Sequence, residues 1–499
     1  MAQKNQTISP RADDYSQWYL DVIREGRLAD YSPVKGSMVL RPHGYAVWEA
    51  IRDDLDARFK ATGHVNAYFP LFIPMSFLSK EAEHVEGFAK ECAVVTHHRL
   101  RAVPEEQGGG VEPDPTAKLE EPLIVRPTSE TIIWHMYGQW IDSWRDLPIL
   151  INQWANVVRW EMKTRPFLRT AEFLWQEGHT AHATEDEAVA EARQMLQVYT
   201  DFASETLAIP VVPGVKSASE RFAGAEDTYT IEAMMQNTWA LQAGTSHFLG
   251  QNFAKAFDVT YQAEDGERKL VWATSWGVST RLVGAVIMTH SDDTGLVLPP
   301  KLAPVQVAIV PIWRKDHEKE AVVEFARELA ATLRGAGVRV AVDERDKMKP
   351  GAKYYDWERK GVPLRLEVGP RDLKNRSAFA ARRLGGKKFG IPEAELVETV
   401  TATLDGIQAE MLETARAFRE ENTHRDVDSY EVFKTQLVEK GGWYLVPWTD
   451  NAENEAAIKT ETKATIRCYP LDAQDGVEGK VCFYSGEPAT HIALFSRAY

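Results

Sequence analysis

The sequence predicts a chain of several domains, with a strand- and helix-rich α+β first part followed by an α/β domain and a smaller C-terminal region. The length of 499 residues suits roughly two to four domains. Paired prolines in "GLVLPPKLAPVQVAIVPI" indicate a boundary near residue 300. Beyond it, apolar runs such as "VRVAVDE" and "LRLEVG" alternate with helical stretches, which is typical of a mainly parallel sheet. We therefore expect domains at 1–300, 301–410 and 411–499.

Composition indicates a soluble cytoplasmic protein. The apolar fraction of 44% is ordinary for globular proteins. No apolar stretch approaches the ~20 residues of a membrane span, and the polar start "MAQKNQTISPRADD" lacks a signal-peptide core. Three scattered cysteines, Cys92, Cys468 and Cys482, do not form a disulfide framework.

Charge is distributed unevenly along the chain. The net charge is −15, yet residues 331–390 hold 16 Lys/Arg against 7 Asp/Glu, a local balance of +9. Such a basic segment is either a solvated surface patch or a site for nucleic acid, because phosphate contacts depend on local charge.

The first elements are a helix and an interrupted strand. In 44–62, Trp48, Ile51, Leu55 and Phe59 recur at helical spacing. "HVNAYFPLFIP" predicts a strand that contains Pro70, and proline confines such a strand to an edge or an interface. Residues 101–122, rich in Gly, Pro and Glu, predict a mobile surface loop.

Two further predicted strands of the first domain carry charged residues within them or at their ends. Residues 156–162 predict a strand with Arg159 and Glu161 on one face. A helix follows over 185–208, and "KLVWATSWGVSTRLVGAVIMTH" begins as a strand and becomes a helix near Arg281. A face with two charges is either wet or holds a charged ligand.

Three separated pieces suggest one site for a polyphosphate. The first is Arg159 and Glu161 together with the basic loop that follows them in the sequence. The second is "LQAGTSH", whose Gln242, Thr245 and His247 share a face if the run is extended, and the third is Arg281. Arginines with amides and hydroxyls, and no nucleophile–base pair, suit phosphates held on an antiparallel sheet for in-line attack. The P-loop pattern is absent.

Each piece also has a purely structural interpretation. Arg159 and Glu161 could form a surface ion pair. His179 and His182 in "HTAH" lack the glutamate of an HExxH zinc motif and are more typical of buried histidines than of metal ligands. Trp175 could simply belong to the core.

The combination resembles the class II aminoacyl-tRNA synthetases, and among them the prolyl-tRNA synthetases of the archaeal/eukaryotic-like type. "GYAVWEAIRDDLDARF" with "NAYFP" resembles the first class motif, "VVRWE" with "FLRTAEFLWQEGHTAH" the second, and "SWGVSTRLVGA" the third. "RPTSET" and "AGTSH" are more specific to the prolyl enzymes. The resemblance implies an α+β catalytic domain whose antiparallel sheet is flanked by helices, an α/β anticodon-binding domain and a small α/β C-terminal domain.

The resemblance also implies roles for individual residues. Arg159 and Arg281 match the catalytic arginines of the second and third motifs. The positions matching the proline site are Thr128, Glu130, Arg159, Trp175, Glu177, His179, Phe222, His247 and Ser275. The positions matching the ATP site are Arg159, Glu161, Arg169, Thr170, Gln242, Thr245, Thr274 and Arg281. Gln242 lies near magnesium in the family, and the anticodon candidates are Arg345, Glu358, Arg365 and Arg371.

The implied partners are ATP with Mg²⁺, L-proline and tRNA(Pro), in a homodimer without membrane attachment. We expect no editing insertion, because only 58 residues separate His182 from Leu241. We also expect no zinc site: 446–459 lacks cysteine, and Ser485 stands where a second cysteine after Cys482 would lie. Alternatives are a threonyl or glycyl synthetase, or an inactive paralogue that only binds RNA.

Overall fold

The computed structural model describes residues 7–78 and 91–499. Among these residues, no helix is both long and apolar enough to cross a bilayer. The helices are α1 (Tyr15–Glu25), α2 (Pro42–Ala61), α3 (Met75–Leu78), α4 (Glu130–Trp140), α5 (Glu185–Glu205), α6 (Asn252–Phe257), α7 (Arg281–His290), α8 (Asp316–Gly335), α9 (Pro350–Arg359), α10 (Pro370–Asn375), α11 (Leu396–Glu421), α12 (Tyr430–Glu439) and α13 (Ala452–Thr462).

Short strands make up much of the remainder. They are β1 (Ala29–Tyr31), β2 (Met38–Leu40), β3 (Val65–Asn66), β4 (Phe72–Pro74), β5 (Ala93–His97), β6 (Leu100–Ala102), β7 (Val111–Pro113), β8 (Lys118–Val125), β9 (Ile149–Val158), β10 (Glu172–His182), β11 (Val211–Val215), β12 (Asp227–Met234), β13 (Ala240–Gly250), β14 (Thr260–Gln262), β15 (Arg268–Leu270), β16 (Trp272–Ser279), β17 (Val307–Pro311), β18 (Val340–Val342), β19 (Leu364–Val368), β20 (Ser377–Arg382), β21 (Phe389–Pro392), β22 (Thr423–His424), β23 (Trp443–Trp448), β24 (Thr465–Pro470) and β25 (His491–Ser496).

One large sheet organises the molecule. Its strand order in the described chain is β22-β23-β25-β24-β11-β12-β13-β16-β10-β9-β3. The stretch from β11 to β9 is antiparallel throughout, which confirms the predicted antiparallel sheet. Antiparallel sheets can cover one face with helices and leave the other open to solvent or a ligand.

Helices α2 and α5 cover one face of this sheet. Trp48, Ile51, Leu55 and Phe59 of α2 are all buried, as their spacing predicted. The ring of Phe59 lies 4.9 Å from that of Trp276 in β16. Helix α5 begins with a capping box between Thr184 and Glu187. Its Tyr199 hydroxyl donates to Gln176 of β10 at 2.7 Å. The opposite face of the sheet is left for the site.

The basic segment lies in a second sheet, with strand order β18-β17-β19-β20-β21. Strands β18, β17 and β19 are parallel, whereas β20 and β21 are antiparallel, so the prediction of a mainly parallel sheet holds only for the first three. The predicted boundary at 410 falls inside helix α11 (Leu396–Glu421) rather than in a loop.

The C-terminal strands β22–β25 extend the main sheet instead of forming a separate one. Strand β24 pairs with β11 through Gly214 with Pro470 and Val215 with Tyr469. A Cβ on Gly214 would lie 2.5 Å from the Cys468 sulfur, so the close approach of these strands requires glycine.

Three local predictions are wrong. The strand predicted over 156–162 ends at Val158, whose partner Glu172 is the last pair with β10, because the chain then turns into the loop before β10. Pro70 lies between β3 and β4, not within a strand, since it has no N–H to donate. Residues 101–122 contain the paired strands β6 and β7, whose Arg101 is bonded to Glu112.

Candidate active site

A cavity of about 290 Å³ opens on the free face of the main sheet. Its lining comes from the segment after β8, from β10, β13 and β16, and from the ends of neighbouring elements. The residues are Thr128, Glu130, Arg159, Phe173, Trp175, Glu177, His179, Glu220, Phe222, Thr228, Gln242, Ala243, Gly244, Thr245, His247, Ser275, Trp276, Gly277, Val278, Ser279 and Arg281. The volume suits a small metabolite rather than a flat contact with a protein.

Strand β10 supplies a row of four side chains to the cavity. Phe173, Trp175, Glu177 and His179 are two residues apart, so they share one face of the strand. Glu177 lies opposite Gly277 of β16, and the missing side chain there leaves space above the sheet. The row therefore presents two aromatic rings, a carboxylate and an imidazole to one ligand.

Glu177 is fixed by a buried polar network. Its Oε1 accepts hydrogen bonds from Ser129 Oγ at 2.5 Å and from Gln153 Nε2 at 2.8 Å. Its Oε2 lies 3.0 Å from His179 Nε2. Buried polar groups satisfied in this way hold a single orientation.

Glu130 begins helix α4 and is also buried. Its Oε2 accepts a hydrogen bond from the hydroxyl of Thr128. The cavity thus has a carboxylate next to the aromatic row, positioned to receive a cationic group.

Arg159 extends from the end of β9 under the aromatic row. Its Nε donates to the carbonyl oxygen of Pro127 at 3.0 Å, and its guanidinium carbon lies 5.6 Å and 5.5 Å from the ring centres of Phe173 and Trp175. Burial lowers the pKa of Arg159, although Glu130 and other carboxylates oppose the shift. Arg159 is half-buried just beyond the strand end, so of the two predicted alternatives its position favours a charged ligand over an open wet face.

Arg281 is the first residue of α7, and its side chain lines the cavity. Its Nε donates to Leu168 O at 3.2 Å and its Nη1 to Gln242 O at 3.4 Å. Burial, together with repulsion from Arg159 and Arg169, lowers the pKa of Arg281 to about 10. With this pKa Arg281 remains charged at neutral pH, so this end of the cavity attracts anions.

A β-bulge explains how Gln242 reaches the cavity. Strict alternation would place Gln242 on the face opposite Thr245 and His247. The register with β12 shifts between Ile231, which pairs with Gly244, and Glu232, which pairs with Gln242. The extra residue reverses the alternation, and all three side chains line the cavity.

His247 is neutral at physiological pH. Burial lowers its pKa to about 4. Its Nδ1 lies 3.0 Å from Thr228 Oγ1, and its ring stacks on Phe222 with 4.5 Å between centres. The pair forms a flat wall with one polar edge.

The remaining predicted ATP positions lie outside this cavity. Glu161 accepts a hydrogen bond from Arg169 Nε at 2.7 Å in the loop between β9 and β10. Thr170 lines a neighbouring cavity of about 280 Å³ that shares Phe173 with the first. Arg165 anchors this loop, with its guanidinium 5.1 Å from the rings of both Tyr19 and Tyr499.

Thr274 is the predicted site residue that the fold separates most clearly from the rest. It is fully buried, and its hydroxyl is bonded to Thr180 of β10. It precedes Ser275 in β16, so alternation directs it away from the cavity face. Thr274 therefore does not line this cavity, and its place in the ATP site stays a prediction.

Sequence reasoning missed Phe173, Thr228 and Glu220. Phe173 was detectable, because it lies two residues before Trp175 on the same strand. Thr228 and Glu220 come from segments whose approach to the cavity depends on tertiary structure, and no local pattern signals them.

The four anticodon candidates differ in accessibility. Arg345 is held by Asp343 and Asp356, with its Nη2 2.6 Å from Asp343 and its Nη1 2.9 Å from Asp356. Arg365 pairs with Glu367 at 3.1 Å and lies 4.0 Å from the ring centre of Tyr354. Glu358 is half-buried, whereas Arg371 is exposed in the first turn of α10.

Comparison with known families gives the class of the protein. Residues 113–290 match the family described as tRNA synthetase class II core domain (G, H, P, S and T). Residues 306–403 match an anticodon binding domain, and residues 430–499 match the C-terminal domain of prolyl-tRNA synthetase. The fold and the cavity thus belong to a class II aminoacyl-tRNA synthetase.

Individual relatives narrow the class. A proline–tRNA ligase of Porphyromonas gingivalis is 60% identical over 499 residues, with 100% of both chains covered. Those of Amoebophilus asiaticus and Cytophaga hutchinsonii are each 54% identical, over 492 and 495 residues, with 99% of this chain covered. The chain belongs to the proline–tRNA ligase family.

Proposed function

We propose that this chain activates L-proline with ATP and transfers the prolyl group to tRNA(Pro). The observation that carries the proposal is the single cavity that joins a carboxylate and aromatic walls at one end to two arginines at the other. A small amino acid with a charged amine and a carboxylate fits such a gradient of charge.

The amino-acid end is formed by Glu130 with Thr128, Trp175, His179 and the Phe222–His247 pair. Proline carries a secondary ammonium with only two hydrogens, which suits the carboxylate of Glu130 and its hydroxyl neighbour. The flat rings match the faces of the pyrrolidine. Ser275 adds a buried hydroxyl that has no hydrogen-bond partner among the described residues and is available to substrate.

The nucleotide end is formed by Arg159, Gln242, Thr245 and Arg281, and Phe173 offers an apolar face for a base at the border of the neighbouring cavity. Glu161, Arg169 and Thr170 lie beside that cavity in the loop. Gln242 and Thr245 would hold, through neutral oxygens, a magnesium ion that accompanies the triphosphate. Such an ion would neutralise negative charge on the phosphates.

The reaction follows from this arrangement in two steps. A carboxylate oxygen of proline attacks the α-phosphorus of ATP, the bond to the bridging oxygen of the β-phosphate breaks, and diphosphate leaves. A ribose hydroxyl at the tRNA end then attacks the prolyl carbonyl and releases AMP. Arg159 lies between the two ends of the cavity and can neutralise charge on both the carboxylate and the α-phosphate.

The test is ATP–diphosphate exchange measured with each of the twenty amino acids. Exchange with proline alone supports the proposal. Exchange with threonine or glycine supports a related synthetase, and no exchange with any amino acid supports an inactive paralogue that binds RNA.

For tRNA, we propose that Arg345, Glu358, Arg365 and Arg371 contact the anticodon. Arg371 is the most accessible, while Arg345 and Arg365 would have to exchange internal carboxylate partners for bases. Arg371→Ala should weaken charging of tRNA(Pro) without changing diphosphate exchange, because exchange needs no tRNA. Unchanged charging at limiting tRNA contradicts the assignment.

We further propose the archaeal/eukaryotic-like subtype, with domains 1–300, 301–410 and 411–499 and no editing of mischarged alanyl-tRNA. The match of 430–499 to a specific C-terminal domain supports the subtype. Between His182 and Leu241 the chain is occupied by α5, β11 and β12, all parts of the main fold. Hydrolysis of alanyl-tRNA by the purified chain alone contradicts this proposal.

Finally, we propose a cytoplasmic homodimer. Strand β3 is an edge of the main sheet, and exposed apolar side chains lie in it and in the residues that follow: Val65, Tyr68, Phe72 and Met75. Such a patch near an edge strand suits a second copy of the chain. Tyr68→Asp with Phe72→Asp should yield a monomer in sedimentation analysis, and an unchanged dimer places the interface elsewhere.

A further inference from the structure

Residues 216–222, here called the wall segment, connect β11 to the substrate cavity. The segment contains a short 3-10 turn, Ala218–Glu220, and two of its side chains, Glu220 and Phe222, line the cavity. Phe222 stacks on His247. The position of this segment therefore decides the shape of the amino-acid end of the site.

The C-terminal domain holds the start of the wall segment through a buried ionic group. Lys216 Nζ lies 2.8 Å from Glu232 Oε1 and donates to the carbonyl oxygen of Arg467 at 2.7 Å. Arg467 Nε donates to Glu232 Oε2 at 3.1 Å. Lys216 and Glu232 are almost completely buried, so removing one member would leave an uncompensated charge.

Helix α13 of the C-terminal domain holds the middle of the wall segment. Glu455 is 4% exposed, and its Oε1 accepts a hydrogen bond from Ser217 Oγ at 2.9 Å. Ser219 also donates to the Glu455 carboxylate. One turn further along α13, Lys459 Nζ bonds to Glu220 Oε1 at 2.9 Å.

The far end of the wall segment is fixed within the catalytic domain. The backbone N–H of Phe222 donates to Thr228 Oγ1 at 3.1 Å, and the same hydroxyl meets His247 Nδ1. The segment is thus bonded to the catalytic sheet at Lys216 and Phe222. It is bonded to the C-terminal domain at Lys216, Ser217, Ser219 and Glu220.

We propose that Glu455 is a positioning residue for the amino-acid site: through Ser217 and Ser219 it holds the wall segment, and so Phe222, in the place that binding of proline requires. Lys459 assists by holding Glu220. The C-terminal domain then acts on amino-acid affinity although it contributes no residue to the cavity lining among the described residues. This inference rests on the proposed function of the cavity.

The experiment compares Glu455→Ala and Glu455→Gln with wild type in ATP–diphosphate exchange, using the full-length chain. Glu455→Ala should raise KM for proline by about five- to tenfold, which corresponds to the loss of one or two hydrogen bonds, and leave KM for ATP within about twofold. Glu455→Gln keeps an acceptor for Ser217 and should restore most of the affinity. Glu461→Ala is the matched control, since Glu461 lies on the same helix but bonds to Tyr430 and Lys434.

A second variant tests the same contact from the other side. Ser217→Ala leaves helix α13 unchanged and should raise KM for proline in the same direction, which covers the case that Glu455→Ala does not fold. Equal changes in KM for proline and ATP, or a change in kcat alone, overturn the inference. If wild type itself gives no exchange with proline, the proposed function fails, whereas normal wild-type exchange with unaltered KM in these variants rejects only the role of Glu455.

Discussion

At the scale of single residues, the site depends on side chains that burial and hydrogen bonds hold in place. Glu177 accepts two hydrogen bonds on one oxygen and meets His179 with the other. Burial lowers the pKa of Arg159 and of Arg281, which stays charged with a pKa of about 10, and His247 stays neutral. Groups fixed before substrate arrives need little reorganisation during the reaction.

Replacement of Arg159 by alanine should abolish adenylate formation while the fold is retained. The guanidinium donates to Pro127 O and lies under two rings, so its loss removes a positive charge from the cavity. Diphosphate exchange should fall by at least ~100-fold, with an unchanged circular dichroism spectrum. Arg101→Ala, on the exposed β6–β7 hairpin, is the control, and near-normal exchange by Arg159→Ala would rule out the assigned role.

His247 predicts a specific dependence of stability on pH. Its pKa falls from 6.5 to about 4 on folding, so between these values the unfolded chain binds the proton more readily. The loss of folding free energy caused by keeping His247 neutral therefore grows as the pH falls from 6.5 and is complete below pH 4. At pH 5 this loss is about 2 kcal/mol. Thermal unfolding should show that the stability advantage of wild type over His247→Asn shrinks by this amount between pH 7 and pH 5. A difference that is constant with pH contradicts the shift.

At the scale of elements, the strands of the site are placed by glycines and by one bulge. Gly178 of β10 faces Trp276 of β16, and a Cβ on Gly178 would lie 2.1 Å from the indole ring. The flat ring fills the space above the glycine, and the two strands keep the register that brings Glu177 opposite Gly277.

Replacement of Gly178 by alanine should therefore destabilise the catalytic domain by about 3 kcal/mol, because neither the ring nor the strand can shift freely. A lower midpoint of thermal unfolding measures the effect. Gly351→Ala is the control: that glycine is in a helix and has nothing within 4 Å of an added Cβ, so its stability should be unchanged or slightly higher. If the two variants have the same midpoint of thermal unfolding, then β10 and β16 can shift to make room for the added methyl group.

Only some features of these elements could be predicted from the sequence alone. The resemblance to the prolyl-tRNA synthetases assigned Trp175, Glu177 and His179 to one pocket, and all three line the cavity. Helical spacing predicted the buried positions of α2. Alternation failed to predict the end of β9 at Val158, since that end depends on where the chain turns. The bulge beside Gln242 is a property of two paired strands, so one strand read by itself does not reveal it.

At the scale of the whole molecule, the C-terminal domain is joined to the catalytic domain by a shared sheet and by buried polar groups. Its own core is apolar and includes Phe433, Trp448, Phe483 and Phe495. Cys482 is buried in this core; burial raises its pKa, but hydrogen bonds from Ser485 and from nearby backbone outweigh that effect and lower it. Within the described residues, no group of three metal-binding side chains is present.

We predict that the C-terminal domain folds without zinc. Four thiolate or imidazole ligands are typical of a structural zinc site, and the apolar core can hold the domain in their place. Elemental analysis of protein purified without chelator or metal-affinity tag should find less than about 0.1 zinc per chain, and chelation should leave the thermal midpoint unchanged. One zinc per chain that is lost together with stability would show that other residues bind the metal.

The pairing of β24 with β11 has a consequence for the order in which the protein can fold during synthesis. The two strands are separated by about 250 residues, and β25, the last strand in chain order, lies between β23 and β24. While the anticodon-binding domain is being translated, β11 has an unpaired edge next to nearly completed strands. Long-range pairing of this kind is slow and leaves edges open to aggregation. Ribosome-bound chains that end before β24 should therefore require chaperone protection that the full-length chain no longer needs.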